Sequence, residues 1–203
     1  MAGGHPIFAA FYDVFAESLD RKGLAQYRRK IAGGASGRVL EIGAGTGRNL
    51  AYYNQVTSVL AIEPDPYMRR RADRRVRACV VPASLVDGTA ERLPVEDRSI
   101  DTVVSTLVFC TIPDPGAALR ELRRVLVLGG SLRFLEHVRA ESPGLARLQD
   151  WMAPLHRRLA AGCHPNRDVL ALLQAEGFRL EEIERFPFGP PWTRPHVAGV
   201  AIR

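Results

Sequence analysis

The chain has 203 residues, 46% of them hydrophobic and 25% charged, which is the composition of a globular protein with a sizeable core. No apolar run approaches the ~20 residues of a membrane-spanning helix, and the N-terminus lacks a signal peptide's basic start and long apolar core. A net charge of +6 is compatible with an anionic partner but does not require one. We therefore predict one cytoplasmic domain over residues 1–203.

Residues 1–37 are predicted to form a helical lead-in that ends in a Gly/Ser-rich loop. Apolar residues recur there at helical spacing, which indicates a face that packs against the rest of the domain. This predicted stripe consists of Phe8, Phe11, Tyr12, Phe15 and Leu19, followed by Leu24, Tyr27 and Ile31.

The segment 39–50 predicts a strand, a glycine turn and a helix that begins at about Arg48. The turn has glycine at alternate positions, Gly43, Gly45 and Gly47. Glycine permits positive φ and close approach of a ligand, and a helix N-terminus directs free N–H groups toward it. A dinucleotide fold requires G-x-G-x-x-G, with its third glycine at position 48. Arg48 stands there, so a nicotinamide-dependent reductase is disfavoured.

The second predicted strand ends at Glu63, twenty residues beyond the first glycine of the turn. A carboxylate at this strand tip can accept both hydroxyls of a ribose, because it is purely an acceptor. Asp65 and Pro66 predict the N-cap and first residue of the following helix. That helix carries the densest basic run, but no aromatic residues interrupt the run as in single-strand nucleic-acid binders. We expect its arginines to face solvent and four residues to form its buried stripe: Met68, Ala72, Val76 and Val80.

The second half of the chain continues the alternation of strands and helices. Residues 99–110 predict a buried strand that runs into a loop, and 116–126 an amphipathic helix that Gly129 and Gly130 end in a left-handed C-cap. Residues 139–165 contain no obvious strand and predict a substrate-binding insertion. The remaining predicted elements are a strand at 131–138, a helix at 169–176, and an antiparallel pair of strands at 180–186 and 196–202.

The three cysteines, Cys79, Cys110 and Cys163, lie far apart in the sequence. Neither a disulfide framework nor a zinc knuckle is indicated. The spacing of His156, Cys163 and His164 matches no zinc pattern either. We predict reduced thiols and no metal site.

Glu41 followed by G-x-G-x-G resembles motif I of the class I S-adenosylmethionine-dependent methyltransferases. Residues 87–94 are similar to the family's adenine-binding segment, with Thr89 in place of the usual acid, so a hydroxyl or a backbone carbonyl would have to replace that carboxylate. Residues 99–110 resemble motif IV, and Tyr12 with the following aspartate matches a pair whose tyrosine reaches the cofactor. The resemblance implies that S-adenosylmethionine contacts the following residues: Tyr12, Glu41, Gly43, Ala44, Gly45, Thr46, Gly47, Asn49, Glu63, Pro64, Met68, Thr89, Ala90, Glu91, Thr106, Leu107 and Val108.

The fold that this resemblance implies is α/β. We expect a Rossmann-like, seven-stranded, mostly parallel sheet with helices on both faces, a C-terminal antiparallel hairpin and an N-terminal helical cap.

A closer resemblance rests on residues 106–110, 134–138, 162–163 and 194–199. These segments are similar to the methyltransferase-like seven family of membrane-associated thiol S-methyltransferases. Because the chain lacks their apolar N-terminal anchor, we expect a soluble relative with at most peripheral membrane contact. The chain is also similar to bacterial phospholipid N-methyltransferases and ubiquinone-pathway C-methyltransferases, so the cofactor motifs do not identify the acceptor.

Methyl transfer from a sulfonium is mainly a matter of alignment and exclusion of water. A thiol, with an unperturbed pKa of ~8.5, needs little help to become the nucleophile. The candidate bases are Glu136, His137 and His164. Glu136 ends the fifth predicted strand, at the edge where ligands bind, and His137 would point to the opposite face of that strand. Candidate substrate contacts are Phe109, Trp151, Trp192 and His196.

The favoured function is S-adenosylmethionine-dependent methyl transfer to a small, apolar acceptor, preferably a thiol. The alternatives are an N- or C-methyltransferase that acts on a phospholipid, quinone or natural product, and a non-catalytic protein that binds the cofactor. A nucleic-acid methyltransferase is disfavoured, because residues 106–109 read Thr-Leu-Val-Phe where an Asn/Asp-Pro-Pro-Tyr-like motif would be expected.

Overall fold

A computed structural model describes residue 4 and residues 6–203, apart from the side chains of residues 7 and 8. Phe8, which was predicted to share the apolar stripe of the lead-in, therefore lies outside the described side chains. The strands are β1 Gly37–Ile42, β2 Val56–Ile62, β3 Ala83–Val86, β4 Ile100–Thr106, β5 Leu126–His137, β6 Arg179–Pro187 and β7 Pro195–Ile202. The α-helices are α1 Pro6–Leu19, α2 Ala25–Ala32, α3 Pro66–Arg77, α4 Pro115–Val125, α5 Pro143–Leu159 and α6 Val169–Ala175. The segment Asp20–Leu24 joins α1 to α2 through a kink at Gly23, whose φ is 120°. Two 3-10 helices span Arg48–Tyr52 and Pro191–Thr193.

The seven strands form one sheet in the order β3-β2-β1-β4-β5-β7-β6. Strands β1 to β5 pair in parallel, and β7 runs antiparallel to both β5 and β6. The predicted fold class is confirmed, including the terminal antiparallel pair. The strand order reverses between β1 and β4, and in open α/β sheets a ligand binds in the crevice at the carboxyl ends of the strands beside such a reversal.

Helices cover both faces of the sheet, and each face has its own apolar core. On one face, α4 and α6 bury Leu119, Leu122 and Leu173 against β1, β4 and β5. On the other, α2 and the first 3-10 helix bury Ile31 and Leu50 against β1 and β2. Fully burying one such side chain contributes roughly 1.5–3 kcal/mol to folding. No helix among the described residues is long and apolar enough to cross a membrane.

The start of α3 follows the prediction, whereas its end does not. The Asp65 side chain caps the helix by accepting the N–H groups of Tyr67 and Met68 at 2.8 and 3.4 Å, and Pro66 takes the first helical position. The helix ends at Arg77, so Val80 lies beyond it and is 82% exposed. The predicted buried stripe was therefore wrong at its last position, because apolar residues continue at four-residue spacing beyond the end of the helix.

The predicted burial of two phenylalanines in the lead-in helix was also wrong. Phe11 and Phe15 of α1 are 70% and 58% exposed, and the small residues Ala9 and Ala16 are buried instead. The lead-in helix thus rests on its alanine face, which permits a closer approach than phenylalanine would.

The glycine pair after α4 is not a C-cap. Helix α4 ends at Val125, and the next residue, Leu126, is already extended, fully buried and paired with Ile100. Gly129, with a φ of 74°, and Gly130 lie inside β5, where the register with β4 shifts. A Cβ on Gly130 would lie 3.0 and 3.1 Å from two backbone oxygens. The strand already begins at the buried Leu126, directly after the helix. The glycine pair therefore accommodates the register shift inside β5.

Candidate active site

The glycine turn after β1 lies where the strand order reverses between β1 and β4. Its glycines differ in how closely other side chains pack around them. Gly43, Gly45 and Gly47 have φ values of 57°, 57° and 79°. A Cβ on Gly43 would lie 2.6 Å from a methyl of Val108, and one on Gly47 would lie 2.9 Å from a methyl of Leu50. Among the described residues, a Cβ on Gly45 would meet nothing closer than 3.8 Å. Two of the glycines thus permit close packing, and Gly45 leaves room above the turn.

Glu63, at the tip of β2, reaches across this turn. Its Oε2 accepts the Gly45 N–H and its Oε1 accepts the Asp65 N–H, both at 2.8 Å. Burial raises the pKa of the carboxyl group, and the two backbone donors oppose that rise. Each oxygen retains acceptor capacity, since an ionised carboxylate has about four lone-pair sites. The carboxylate therefore remains able to accept further hydrogen bonds beside Gly45.

Helix α1 covers the turn from above. The Tyr12 ring lies 3.8 Å from the position of a Cβ on Gly45, and burial raises the pKa of its phenol. Asp13 accepts a hydrogen bond from the Thr46 hydroxyl at 2.7 Å and forms an ion pair with Arg75 at 3.2 Å. The helical lead-in thus caps the glycine turn, and the neighbouring Tyr12 and Asp13 act together in this contact.

Beneath the turn, Glu41 anchors a buried polar network. Its Oε1 accepts the Asn49 amide at 3.0 Å, and its Oε2 accepts the Tyr53 hydroxyl at 2.9 Å. Asn49 also donates to the Thr106 hydroxyl and accepts from Arg28, each at 3.0 Å. Burial raises the pKa of Glu41 to about 7, although its two donors act in the opposite direction. Glu41 and Asn49 therefore support the turn from inside.

The helix after the turn starts at the predicted residue but is of a different kind. It is a 3-10 helix of five residues, Arg48–Tyr52, preceded by left-handed Gly47. Arg48 is held by Asp20 at 2.7 Å. So short a helix adds little dipole. The N–H groups of Ala44, Gly45 and Gly47 in the turn already donate within the protein, at 3.0, 2.8 and 2.8 Å, so the space around Gly45 is the feature that could admit a ligand.

The other predicted cofactor contacts line the neighbouring strand tips. Met68 is buried in the first turn of α3, and the Pro64 carbonyl accepts from Arg69 at 2.8 Å. In the segment after β3, Thr89 is exposed, Ala90 is buried, and Glu91 accepts the Asp114 N–H at 3.4 Å.

The loop after β4 is held by Glu136 of β5. The Glu136 Oε1 accepts the Ser105 hydroxyl at 2.7 Å and the Val108 N–H at 3.0 Å, while its Oε2 has no hydrogen-bond partner among the described residues. Glu136 is fully buried, which raises its pKa to about 7. Leu107, between the two donors, has a φ of 58°, uncommon for a residue other than glycine. This carboxylate therefore fixes the loop that packs on Gly43.

A buried cluster of two thiols and an imidazole lies at the C-terminal end of β5, on the side of the strand opposite Glu136. The His137 Nε2 is 3.0 Å from the Cys163 sulfur, and Cys110 also contacts Cys163. The Cys110 thiol donates to Cys163; this hydrogen bond lowers the pKa of Cys163 and raises that of Cys110. Hydrogen bonds from His137 and His156 also lower the pKa of Cys163. His164 contacts the Cys110 carbonyl through its N–H at 2.8 Å and its Nδ1 at 3.1 Å.

Sequence reasoning missed this cluster, because 26 residues separate its nearest members and more than 50 its most distant ones. All three members lie in segments that carried the closer family resemblance, 106–110, 134–138 and 162–163, but no spacing rule connects these segments. Their proximity became apparent only in three dimensions.

The predicted substrate contacts do not form one surface. Phe109 is fully buried in the core, whereas Trp151 on α5 is 76% exposed. His196 pairs with His137 across β5 and β7, with ring centroids 6.0 Å apart, and burial lowers its pKa to about 4. Trp192 is half-buried, and its Nε1 has no hydrogen-bond partner among the described residues.

Comparison with known proteins agrees with this geometry. A family model described as "Methyltransferase domain" matches residues 40–134. Thiol S-methyltransferase TMT1B of Homo sapiens is 32% identical over 178 residues, which cover 84% of this chain and 73% of that protein. Phosphatidylethanolamine N-methyltransferase of Cereibacter sphaeroides is 29% identical over 156 residues, which cover 76% of this chain and 75% of that protein.

The fold is similar to that of a crystal structure from Thermotoga maritima, titled a SAM-dependent methyltransferase and possible histamine N-methyltransferase. That structure has a TM-score of 0.71 and 22% sequence identity, and the match covers 97% of each chain. The sheet order, the glycine turn and these relatives agree: the chain belongs to the class I S-adenosylmethionine-dependent methyltransferases.

Proposed function

We propose that this methyltransferase methylates a small, apolar acceptor, and that a thiol sulfur is its preferred nucleophile. The observation that carries the cofactor part of the proposal is the room above Gly45, bounded by the Glu63 carboxylate and the Tyr12 ring. A methyl group there would occupy the space that a ligand needs. The residues present therefore fit a cofactor with adjacent hydroxyl donors.

In this proposal Glu63 accepts the ribose hydroxyls, the backbone of Gly45 approaches the methionine part, and Tyr12 covers both. When bound, S-adenosylmethionine supplies a methyl group activated by the positive sulfonium. Aromatic rings attract such a cation, and the half-buried Tyr12 ring lies beside the turn. Glu41 and Asn49 contribute from beneath by holding the turn in shape.

Of the three candidate bases, we propose positioning roles for two. Glu136 holds the Val108 N–H, and His164 holds the Cys110 carbonyl, so each acts on the backbone of the loop after β4. His137 is the candidate whose ring contacts a sulfur. A thiol acceptor needs no strong base, because a few per cent of a thiol with the ordinary pKa of ~8.5 is already the more nucleophilic thiolate at pH ~7.

The names of the relatives support sulfur as the atom that accepts the methyl group. The 32%-identical human protein is named a thiol S-methyltransferase. A second candidate, transfer to an amine, is favoured by the bacterial relative named a phosphatidylethanolamine N-methyltransferase.

The test is to supply S-adenosylmethionine with matched aliphatic thiols, amines and alcohols and to measure S-adenosylhomocysteine release. Glu63→Gln removes one carboxylate oxygen at nearly constant volume, and Asp97→Asn, an exposed carboxylate paired with Arg124, serves as control. We expect turnover with thiols alone, lowered at least tenfold in Glu63→Gln and unchanged in Asp97→Asn.

Faster turnover of amines than of thiols would reject the thiol preference. S-Adenosylhomocysteine binding by Glu63→Gln that equals the wild type would reject the ribose role. Binding without turnover on any acceptor class would favour the non-catalytic alternative.

A further inference from the structure

Three metal-ligand side chains converge at the carboxyl end of the sheet. Cys110 lies in the loop after β4, His137 ends β5, and Cys163 follows α5. The two sulfurs and one ring nitrogen of His137 all lie within 4.8 Å of one another, and all three residues are buried. Buried thiols and imidazole that share one centre are a donor set for a soft or borderline cation.

The dimensions of the cluster fit a tetrahedral ion. Zn–S and Zn–N bonds of about 2.3 and 2.0–2.1 Å give tetrahedral edges of about 3.8 Å between sulfurs and 3.6 Å from sulfur to nitrogen. The observed His137–Cys163 distance is 3.0 Å, and no pair exceeds 4.8 Å. The ligand atoms would have to move by about 1 Å or less to reach these edges.

The backbone around the cluster is already ordered by other contacts. His164 fixes the Cys110 carbonyl, and Arg167 donates to the carbonyls of Phe109 and, at 2.7 Å, Ile112 on either side of it. These contacts hold the Cys110 loop against the segment that carries Cys163. A site whose ligand-bearing segments are linked independently of the ion is preorganised for binding.

The charges also balance. Two thiolates neutralise a divalent cation. Such an arrangement avoids the desolvation cost of an unpaired buried charge.

We propose that Cys110, His137 and Cys163 supply three ligands to a bound Zn²⁺ ion. A Cys₂His set with one open position is known for zinc that contacts substrate. The proposal does not depend on the identity of the methyl acceptor, because it concerns cation binding by these three side chains. His156 is a further imidazole that hydrogen-bonds the Cys163 sulfur.

The test uses the full-length protein, reduced and freed of metal, and titrated with Zn²⁺ against a chromophoric zinc indicator. We expect one equivalent to bind in the wild type and in Cys79→Ser, whose thiol lies outside the cluster. Cys110→Ser, Cys163→Ser and His137→Asn should each weaken binding at least tenfold. Substitution with Co²⁺ should add a thiolate-to-metal charge-transfer band that Cys163→Ser lacks.

A readout on the wild type alone guards against misfolded variants. Bound Zn²⁺ should protect Cys110 and Cys163 from alkylation while Cys79 stays reactive. No binding by the folded, reduced wild type, or binding that Cys110→Ser and Cys163→Ser leave intact, would overturn the proposal. An air-stable Cys110–Cys163 disulfide in the purified protein that persists in the presence of Zn²⁺ would also overturn it, in favour of a redox pair.

Discussion

Gly43 and Gly45 offer a matched pair of substitutions that separates packing from ligand binding. Both have a φ of 57° and both lie in the turn after β1. Replacing either by alanine incurs the same backbone cost, roughly 1–2 kcal/mol for a left-handed non-glycine residue. The two variants differ only in what the new methyl group meets.

At Gly45 the methyl comes no closer than 3.8 Å to any heavy atom in the part of the chain that the structure describes, so we expect the backbone cost to be the whole cost. One kcal/mol lowers Tm by roughly 2–4 °C in a domain of about this size, so we expect a drop of about 2–8 °C. At Gly43 the methyl would lie 2.6 and 2.7 Å from both methyls of Val108. Overpacking of this kind adds roughly 1–3 kcal/mol, so Gly43→Ala should lose roughly 2–5 kcal/mol in total.

Ligand binding should show the reverse order. In Gly45→Ala the methyl fills the room beside the Glu63 carboxylate, and we expect S-adenosylhomocysteine to bind at least tenfold more weakly, a loss of about 1.4 kcal/mol. Calorimetric titration and thermal unfolding of both variants provide the two measurements. Wild-type affinity in Gly45→Ala, or equal destabilisation by the two substitutions, would refute the division of the turn into a packing glycine and an open glycine.

Three further predictions concern Glu41, Asp13 and Trp151. The Glu41 pKa is about 7 when folded against 4.5 when unfolded, so between these values the unfolded chain loses a proton that the folded protein keeps. Stability relative to Glu41→Gln should thus fall by up to about 3 kcal/mol as pH rises from 4.5 to 7 in denaturant titrations; a constant difference would contradict the raised pKa. Asp13→Asn weakens the contact with Thr46 and should speed hydrogen exchange of α1 while global unfolding changes by less than about 1.5 kcal/mol. Trp151→Ser should change stability by no more than about 0.5 kcal/mol, since the ring is exposed; a larger loss would show that it packs on something in solution.

The parts of the fold predicted from sequence are those with local signals. A buried strand followed by spaced glycines, and an acid at the tip of the next strand, identify the turn and Glu63 without knowledge of the rest. Asp65 with Pro66 specifies a helix start for the same reason, because a cap contacts residues two and three positions away. Such short-range geometry is encoded in the residues themselves.

The failures share a different cause. Spacing predicted that Phe11 and Phe15 pack, but which face of a helix is buried depends on what lies opposite, and here Ala9 and Ala16 are buried instead. Gly129 and Gly130 have the composition of a helix C-cap, yet pairing of Leu126 with Ile100 decided the outcome. Both are cases in which tertiary burial prevailed over a correct local pattern.

The last two residues of β5 connect the two candidate sites. Because successive strand residues face opposite sides, Glu136 points to the loop after β4, and His137 points to the thiol cluster. Glu136 holds the Val108 N–H, and the Val108 side chain packs on Gly43, so this carboxylate stabilises the glycine turn from behind. The same loop carries Cys110 at its far end. A change in the thiol cluster therefore has a short covalent and hydrogen-bonded route to the turn, through residues 106–110 and β5.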